Sequence, residues 1–575
     1  MKKIIALLLA GAMMVSTTAC GNNTASSAAS GTGNTASAAS STGTGAVAAA
    51  DLASKSKYAG TPDADMITIN LVQEPPELNS MQTTDTASAN ILRETMAGLM
   101  KLDANDNPVP DMAESYTVSE DKKTYTFKLR KDAKWSNGEP VTSKDFVFAW
   151  TTAMKKSTAS SYAFILTDNI KGGQDYYDEK IKEDGLGIKA PDDYTLEVTF
   201  VNPIPYALQL FSFQTYLPVN QKAFEAAGAD KYAKDMDKFV TNGPYKMVEW
   251  VHDDHITLEK NPDYWDKDKV GIPKIKLVMM KDANATMNAF RAGQLDFMTL
   301  GADSLAQMQA QGQPYVTYAD CSNWYVQYNT QRKPFNNAKV RQAFGMAIDR
   351  ESFVKNVRKD GSIAAQGIVP PGIAGANGEY AEARGDISLK YDPTKAKQLL
   401  EEGLKEVGMT IDQLKPVFIS DNTTAAAKDT AFFQEQWKTN LGVSVELKPL
   451  TFKARVAAMD SGDFDFVYAG WAPDYNDAMT FLDLFTTNNG SNYGRYSSKE
   501  YDETIAAAAK EADVTKRQEL LMKAEKLAVQ QDAPVYPIYF SVIPYTTSQK
   551  FTGATLTGFQ SWPGDYTDGA KLTKK

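Results

Sequence analysis

Apolar and polar positions alternate with strand period at 66–71, at Thr124–Leu129 and at 194–200. The pair Gly243-Pro244 opens a further alternating stretch, 245–258, which predicts a hairpin. The period changes to that of a helix at 338–348, where Val340, Phe344, Ala347 and Ile348 share one face. Asp349 is placed to cap a following helix that carries Phe353 and Val354. A longer helix is predicted over 514–530, with Leu520, Leu521, Ala524 and Leu527 inward. Strands and helices interleave without an internal repeat, so the fold class is α/β. One apolar run ends unusually: Phe466-Val467-Tyr468-Ala469-Gly470-Trp471-Ala472-Pro473 leads into Asp474 and Tyr475. The residues alone leave two readings of Asp474. It is a turn acid, since Ala-Pro-Asp-Tyr-Asn is sound turn composition, or it is a carboxylate built to meet a desolvated cation.

With 575 residues, 43% of them apolar, the chain is too long for one ordinary core, and two or more lobes are expected. Its net charge of −10 comes without clustered Lys and Arg, which argues against a nucleic-acid partner. Two cysteines and two histidines leave little room for a cysteine metal cluster or for histidine general acid–base chemistry.

The amino end is organised differently. Lys2-Lys3 precede an apolar stretch, 4–15, too short to span a bilayer comfortably, and Ser16-Thr17-Thr18-Ala19 lead to Cys20. This resembles a bacterial lipoprotein signal, cut before a cysteine that carries lipid, although Thr17 stands where Leu, Val or Ile is usual. Acyl chains at Cys20 would contribute about 0.8 kcal/mol per buried CH₂. Cleavage of residues 1–19 removes Lys2 and Lys3 and takes the net charge to −12. With Cys20 lipidated, Cys321 is the only free cysteine and no internal disulfide is possible. Residues from 21 to about 50 are almost all Ser, Thr, Gly, Ala and Asn, the composition of a flexible tether with a reach of about 30 Å. Order is expected to begin near Met66.

Four segments, in order, resemble the family 5 extracellular solute-binding proteins of ABC importers. They are Leu129-Arg130-Lys131-Asp132-Ala133-Lys134-Trp135-Ser136-Asn137-Gly138, continuing to Val147; Thr241-Asn242-Gly243-Pro244-Tyr245 with Leu258-Glu259-Lys260-Asn261-Pro262-Asp263-Tyr264-Trp265; Arg291-Ala292-Gly293-Gln294-Leu295-Asp296-Phe297; and Phe335 to Phe344, ending at Ala347-Ile348-Asp349-Arg350. The resemblance runs from about residue 65 to the end. It implies a two-lobed periplasmic-binding-protein-like fold with a hinge and a central ligand cleft. The expected boundaries are a signal peptide at 1–19, a lipid-anchored linker at 20–60, a first lobe at 61–319 enlarged by an inserted subdomain at about 90–205, a second lobe at 320–543, and a return at 544–575.

Within the oligopeptide-binding branch, the segment Gly470-Trp471-Ala472-Pro473-Asp474-Tyr475 resembles the strand that pairs with bound peptide backbone. The resemblance implies that Asp474 takes the peptide's α-ammonium group, with Gly470, Ala472, Trp471 and Tyr475 around it. Glu74, in Glu74-Pro75-Pro76-Glu77-Leu78-Asn79, resembles part of the opposing wall; a solvated surface acid is the plainer reading. The two prolines there remove backbone donors. Tyr162 resembles a cleft tyrosine of the first lobe, and core packing is its alternative. Tyr468 cannot supply a basic group for a peptide's carboxyl end, so ligand length is not expected to be fixed by a charge at that point.

The expected role is therefore a lipid-anchored binding protein on the outer face of the bacterial cell membrane, working as a monomer. It would deliver oligopeptides to the permease and ATPase subunits of an ABC transporter. The same fold could carry a nickel chelate, an opine or an oligosaccharide, or serve as a peptide-signal receptor. No P-loop, dinucleotide fingerprint or nucleophile elbow is found, so no enzyme and no cofactor is expected. His252 and His255 flank Asp253-Asp254, but residues i and i+3 of a strand face opposite ways, so the segment reads as a hairpin tip and not as a metal site.

Overall fold

The computed structural model describes residues 45–553, 556–559 and 570–573; the expected signal peptide, Cys20 and most of the expected tether lie outside them. Two long strands, Val316–Tyr328 and Val535–Thr547, organise the fold. Both are almost wholly apolar or buried along their length, as strands covered on both faces must be. They pair antiparallel from Val316 opposite Tyr545 to Gln327 opposite Val535. On one side of this pair the sheet continues through Phe297–Thr299, Met66–Asn70, Lys274–Val278, His255–Lys260 and Tyr245–Val251. On the other it continues through Phe466–Trp471, Val417–Asp421 and Glu446–Leu450. One sheet thus serves both lobes, and the two long strands are the crossing between them. Their register slips between Ala319 and Asn323, a bulge in which Cys321 takes a left-handed φ of 52°. The inserted subdomain carries a separate antiparallel sheet ordered Ala113–Val118, Thr124–Leu129, Thr195–Thr199, Ile188–Asp192, packed over buried Trp135, Trp150 and Phe211.

The predicted elements sit where the periodicity put them, with ends that differ. The 194–200 strand is Thr195–Thr199, and the hairpin is Tyr245–Val251 with His255–Lys260. The first helix is Ala338–Met346, and Asp349 accepts from the Ser352 amide as a cap. The helix predicted over 514–530 is α-helical only to Lys526 and continues as a π turn over Leu527–Gln531. A wider turn keeps the same apolar face inward, so periodicity could not mark the change. The segment 45–60, expected as tether, is instead docked on the first lobe. Val47 donates to the Tyr315 carbonyl at 3.1 Å, Leu52 is buried, and the Tyr58 ring meets Phe290 edge-on at 4.9 Å. Its anchors are isolated among small residues, which is why composition hid them.

The motifs that carried the resemblance act as joints. Asn242 clamps both backbone groups of Ala97 at 2.9 Å, and a Cβ on Gly243 would lie 2.5 Å from the Thr95–Met96 backbone. Only glycine fits that crossing. Asn261 ties back to the Gly243 carbonyl at 2.9 Å. Among the described residues, no helix is long and apolar enough to cross a membrane.

Candidate functional site

The strand Phe466–Trp471 pairs along its whole length with Val316–Tyr328, from Tyr328 opposite Phe466 to Asn323 opposite Trp471. On its other side Val417–Asp421 pairs only at Phe418–Phe466 and Ile419–Val467. Tyr468 to Trp471 therefore have no strand on that side among the described residues. An extended chain could add there through main-chain hydrogen bonds. Gly470 is required at this edge: a Cβ would stand 2.9 Å from the indole of Trp324.

Past the strand, Asp474 meets the first lobe. Tyr162 donates its hydroxyl to Asp474 Oδ1 at 2.9 Å, and its ring lies 6.0 Å from that of Trp471. The Asp474 amide donates to Thr480 Oγ1 at 3.0 Å, which fixes the turn. Tyr475 stacks on Tyr206 at 4.0 Å and donates to Asp483 Oδ2 at 3.2 Å. The Asn476 amide donates to Gln209 Oε1 at 2.7 Å. Tyr162, Tyr206 and Gln209 belong to the first lobe, so these contacts hold the lobes together over the site.

No cation of the described residues forms an ion pair with Asp474. It keeps a narrow accessible face, yet protein surrounds it, and that desolvation pushes its carboxyl up to about 8. The hydrogen bonds from Tyr162 and Thr480 act in the opposite direction and do not win. Burial, then the charge of Asp474, raises the Tyr162 phenol well above its ordinary value. The indole N–H of Trp471 is buried without an acceptor. The site thus offers an acceptor that lacks a cation, a donor that lacks an acceptor and an open strand edge.

Of the residues singled out in the sequence, the structure brings together Gly470, Trp471, Ala472, Asp474, Tyr475 and Tyr162. Glu74 shares no contact with them. Its Oε1 accepts from Trp250 at 3.0 Å and faces His252 Nδ1 at 2.7 Å, while Oε2 accepts from the Asp253 amide at 2.9 Å. It holds the hairpin tip to its own lobe. The two histidines of that tip address different carboxylates, His252 those of Glu74 and Asp235, His255 those of Asp254 and Glu249. Tyr206, Gln209, Thr480 and Asp483 were missed. Only the hydroxyl and the acid six and nine places beyond Asp474 could have hinted at Thr480 and Asp483, and Tyr206 and Gln209 come from the other lobe.

A sequence profile described as bacterial extracellular solute-binding proteins, family 5 Middle, matches residues 107–493. The chain belongs to this family. It is 37% identical over 501 residues to the oligopeptide-binding protein OppA of Bacillus subtilis, covering 86% of this chain and 90% of that one. It is also 37% identical over 485 residues to the dipeptide-binding protein DppE of the same organism, covering 84% and 88%. Among solved structures, Listeria monocytogenes OppA bound to peptide superposes with a TM-score of 0.83 at 35% identity, covering 89% of this chain and 99% of that one. As in the family, the fold is α/β and two-lobed, with a hinge and a central cleft. The relatives are binding proteins for transport.

Proposed function

We propose that this protein captures oligopeptides in the cleft between its lobes and hands them to an ABC transporter. The observation that carries the reading is Asp474, an enclosed carboxylate without a cation, at the end of a strand with an open edge. Peptides share an ammonium terminus and a repeating backbone, and this pair of features reads both without reading side chains. Asp474 takes the α-ammonium group, Gly470 to Ala472 pair with the backbone, Trp471 gives its N–H to a ligand carbonyl, and Tyr162 and Tyr475 exclude water. Binding and closure run together, because Tyr162 reaches Asp474 only across the cleft.

Cleavage before Cys20 and lipidation of its sulfur would hold the protein on the outer face of the cell membrane. Cys20→Ala is expected to move it from the membrane fraction to the medium. For the cargo, native mass spectrometry of protein purified without refolding is expected to show mixed peptide masses. A single sugar, opine or metal species would overturn the peptide reading.

A further inference from the structure

A cavity of about 830 Å³ lies between the inserted subdomain and the second lobe; Tyr206, Tyr475 and Asp483 are shared with the site described above, and no role given there uses the space behind them. Its size falls within the range of small-molecule sites. Phe164, Tyr206, Tyr475 and Met479 form much of its wall, and Asp168 and Asp483 face it from opposite lobes. It starts one residue beyond Asp474, since Tyr475 belongs to its wall. The Tyr206–Tyr475 stack closes it from the first lobe.

Its charge is unbalanced. Asp483 accepts from Tyr475 through Oδ2, but its Oδ1 is buried without a hydrogen-bond partner. Burial, then the charge of Asp474, followed by those of Asp168 and Asp477, drives the Asp483 carboxyl far above the carboxylate range. Asp168 opens onto the cavity, with only a 3.4 Å contact from Thr167 Oγ1. No ion pair of the described residues involves either acid. The one guanidinium at the wall, Arg517, is held by both oxygens of Asp477 at 2.7 and 2.9 Å. Lys122 and Lys510 are exposed at the rim beside Glu120 and Glu511, so the rim brings no net positive charge.

Aromatic and thioether walls around carboxylates suit an alkyl stem that ends in a cation. We infer that this cavity takes the ammonium or guanidinium end of a lysine or arginine side chain in the captured peptide, with Asp483 and Asp168 as its partners. The inference rests on the peptide reading above. Where that reading gives sequence-independent capture, this one adds a preference at one peptide position.

Calorimetry at pH 7 tests it with tetra-alanine and with peptides carrying lysine or norleucine at each of its first three positions. At one position lysine is expected to bind at least about 10-fold tighter than norleucine. The ratio should collapse in both Asp483→Asn and Asp168→Asn. Because it is read within each variant, a general loss of affinity or stability cancels. Norleucine matching lysine at every position, or a ratio that survives both substitutions, would overturn the inference while tetra-alanine binding upheld the peptide reading. If tetra-alanine itself does not bind, both fall. n-Butylamine alone is the last arm. If it raises the melting temperature of the wild type and not of Asp483→Asn, with no lysine preference in peptides, the cavity serves free amines and the side-chain assignment is wrong.

Discussion

Peptide binding should expel a proton from Asp474. Surrounded by protein alone, its carboxyl is pushed up to about 8, against an ordinary 3.8, because burial penalises the anion. At 1.36 kcal/mol per pKa unit this disfavours the anion by on the order of 5 kcal/mol. At pH 6.5 a group of that pKa is protonated in roughly 97% of molecules, while a peptide amine of pKa near 7.8 is about 95% charged. An arriving ammonium needs the anion, so close to one proton should pass to the buffer per peptide bound. Titrating tri-alanine by calorimetry in buffers of different ionisation enthalpy reads that number from the slope. Asp474→Asn should reduce it to zero and weaken binding by about 3–5 kcal/mol, roughly two to four orders of magnitude. The sign for stability follows. The folded carboxyl holds its proton to higher pH than the unfolded one, so the protein without peptide loses stability as pH rises from about 4 to about 8. Bound peptide removes that penalty, so its thermal stabilisation should be larger at pH 7.5 than at pH 5. A wild type that releases no proton, or an Asn variant that releases as many, would refute the account of this site.

Three other outcomes follow from individual contacts. Tyr162→Phe loses the 2.9 Å hydrogen bond to Asp474, and tri-alanine should bind about 10- to 100-fold more weakly, the scale of a hydrogen bond to a charged group, with an unchanged far-ultraviolet spectrum. Gly470→Ala pushes a methyl to 2.9 Å from the Trp324 indole, whose ring is stacked parallel to Tyr539, and urea unfolding should show a loss of about 1–3 kcal/mol; an unchanged midpoint would mean the ring moves freely. Arg384→Ala strands Glu525, which is fully buried and paired with Arg384 at 2.7 Å, so guanidinium unfolding should report a loss of about 3–5 kcal/mol. Glu525 also accepts from the Ile368 and Val369 amides, at 2.6 and 3.0 Å, and those bonds soften the loss without replacing the charge partner.

Local pattern determined a good deal. Strand alternation located Met66–Asn70 and Thr124–Leu129, helical spacing located Ala338–Met346, and Asp349 identified its own cap. These are short-range facts, because side-chain period and capping depend on neighbours within a turn or a pleat. Asp474 was legible as an acid in aromatic company, but the choice between turn and anchor was not. Tertiary structure brought Tyr162 to it across 312 positions of chain, stacked Tyr206 on Tyr475, and left Tyr468 to Trp471 without a strand on one side. It also turned Glu74 toward a hairpin in its own lobe and docked 45–60 through Leu52 and Tyr58. Desolvation is what makes Asp474 hold a proton to about 8, and desolvation is a property of everything that surrounds a group. The sequence by itself determined which residues could do the chemistry; only the closing of two distant lobes decided which of them meet.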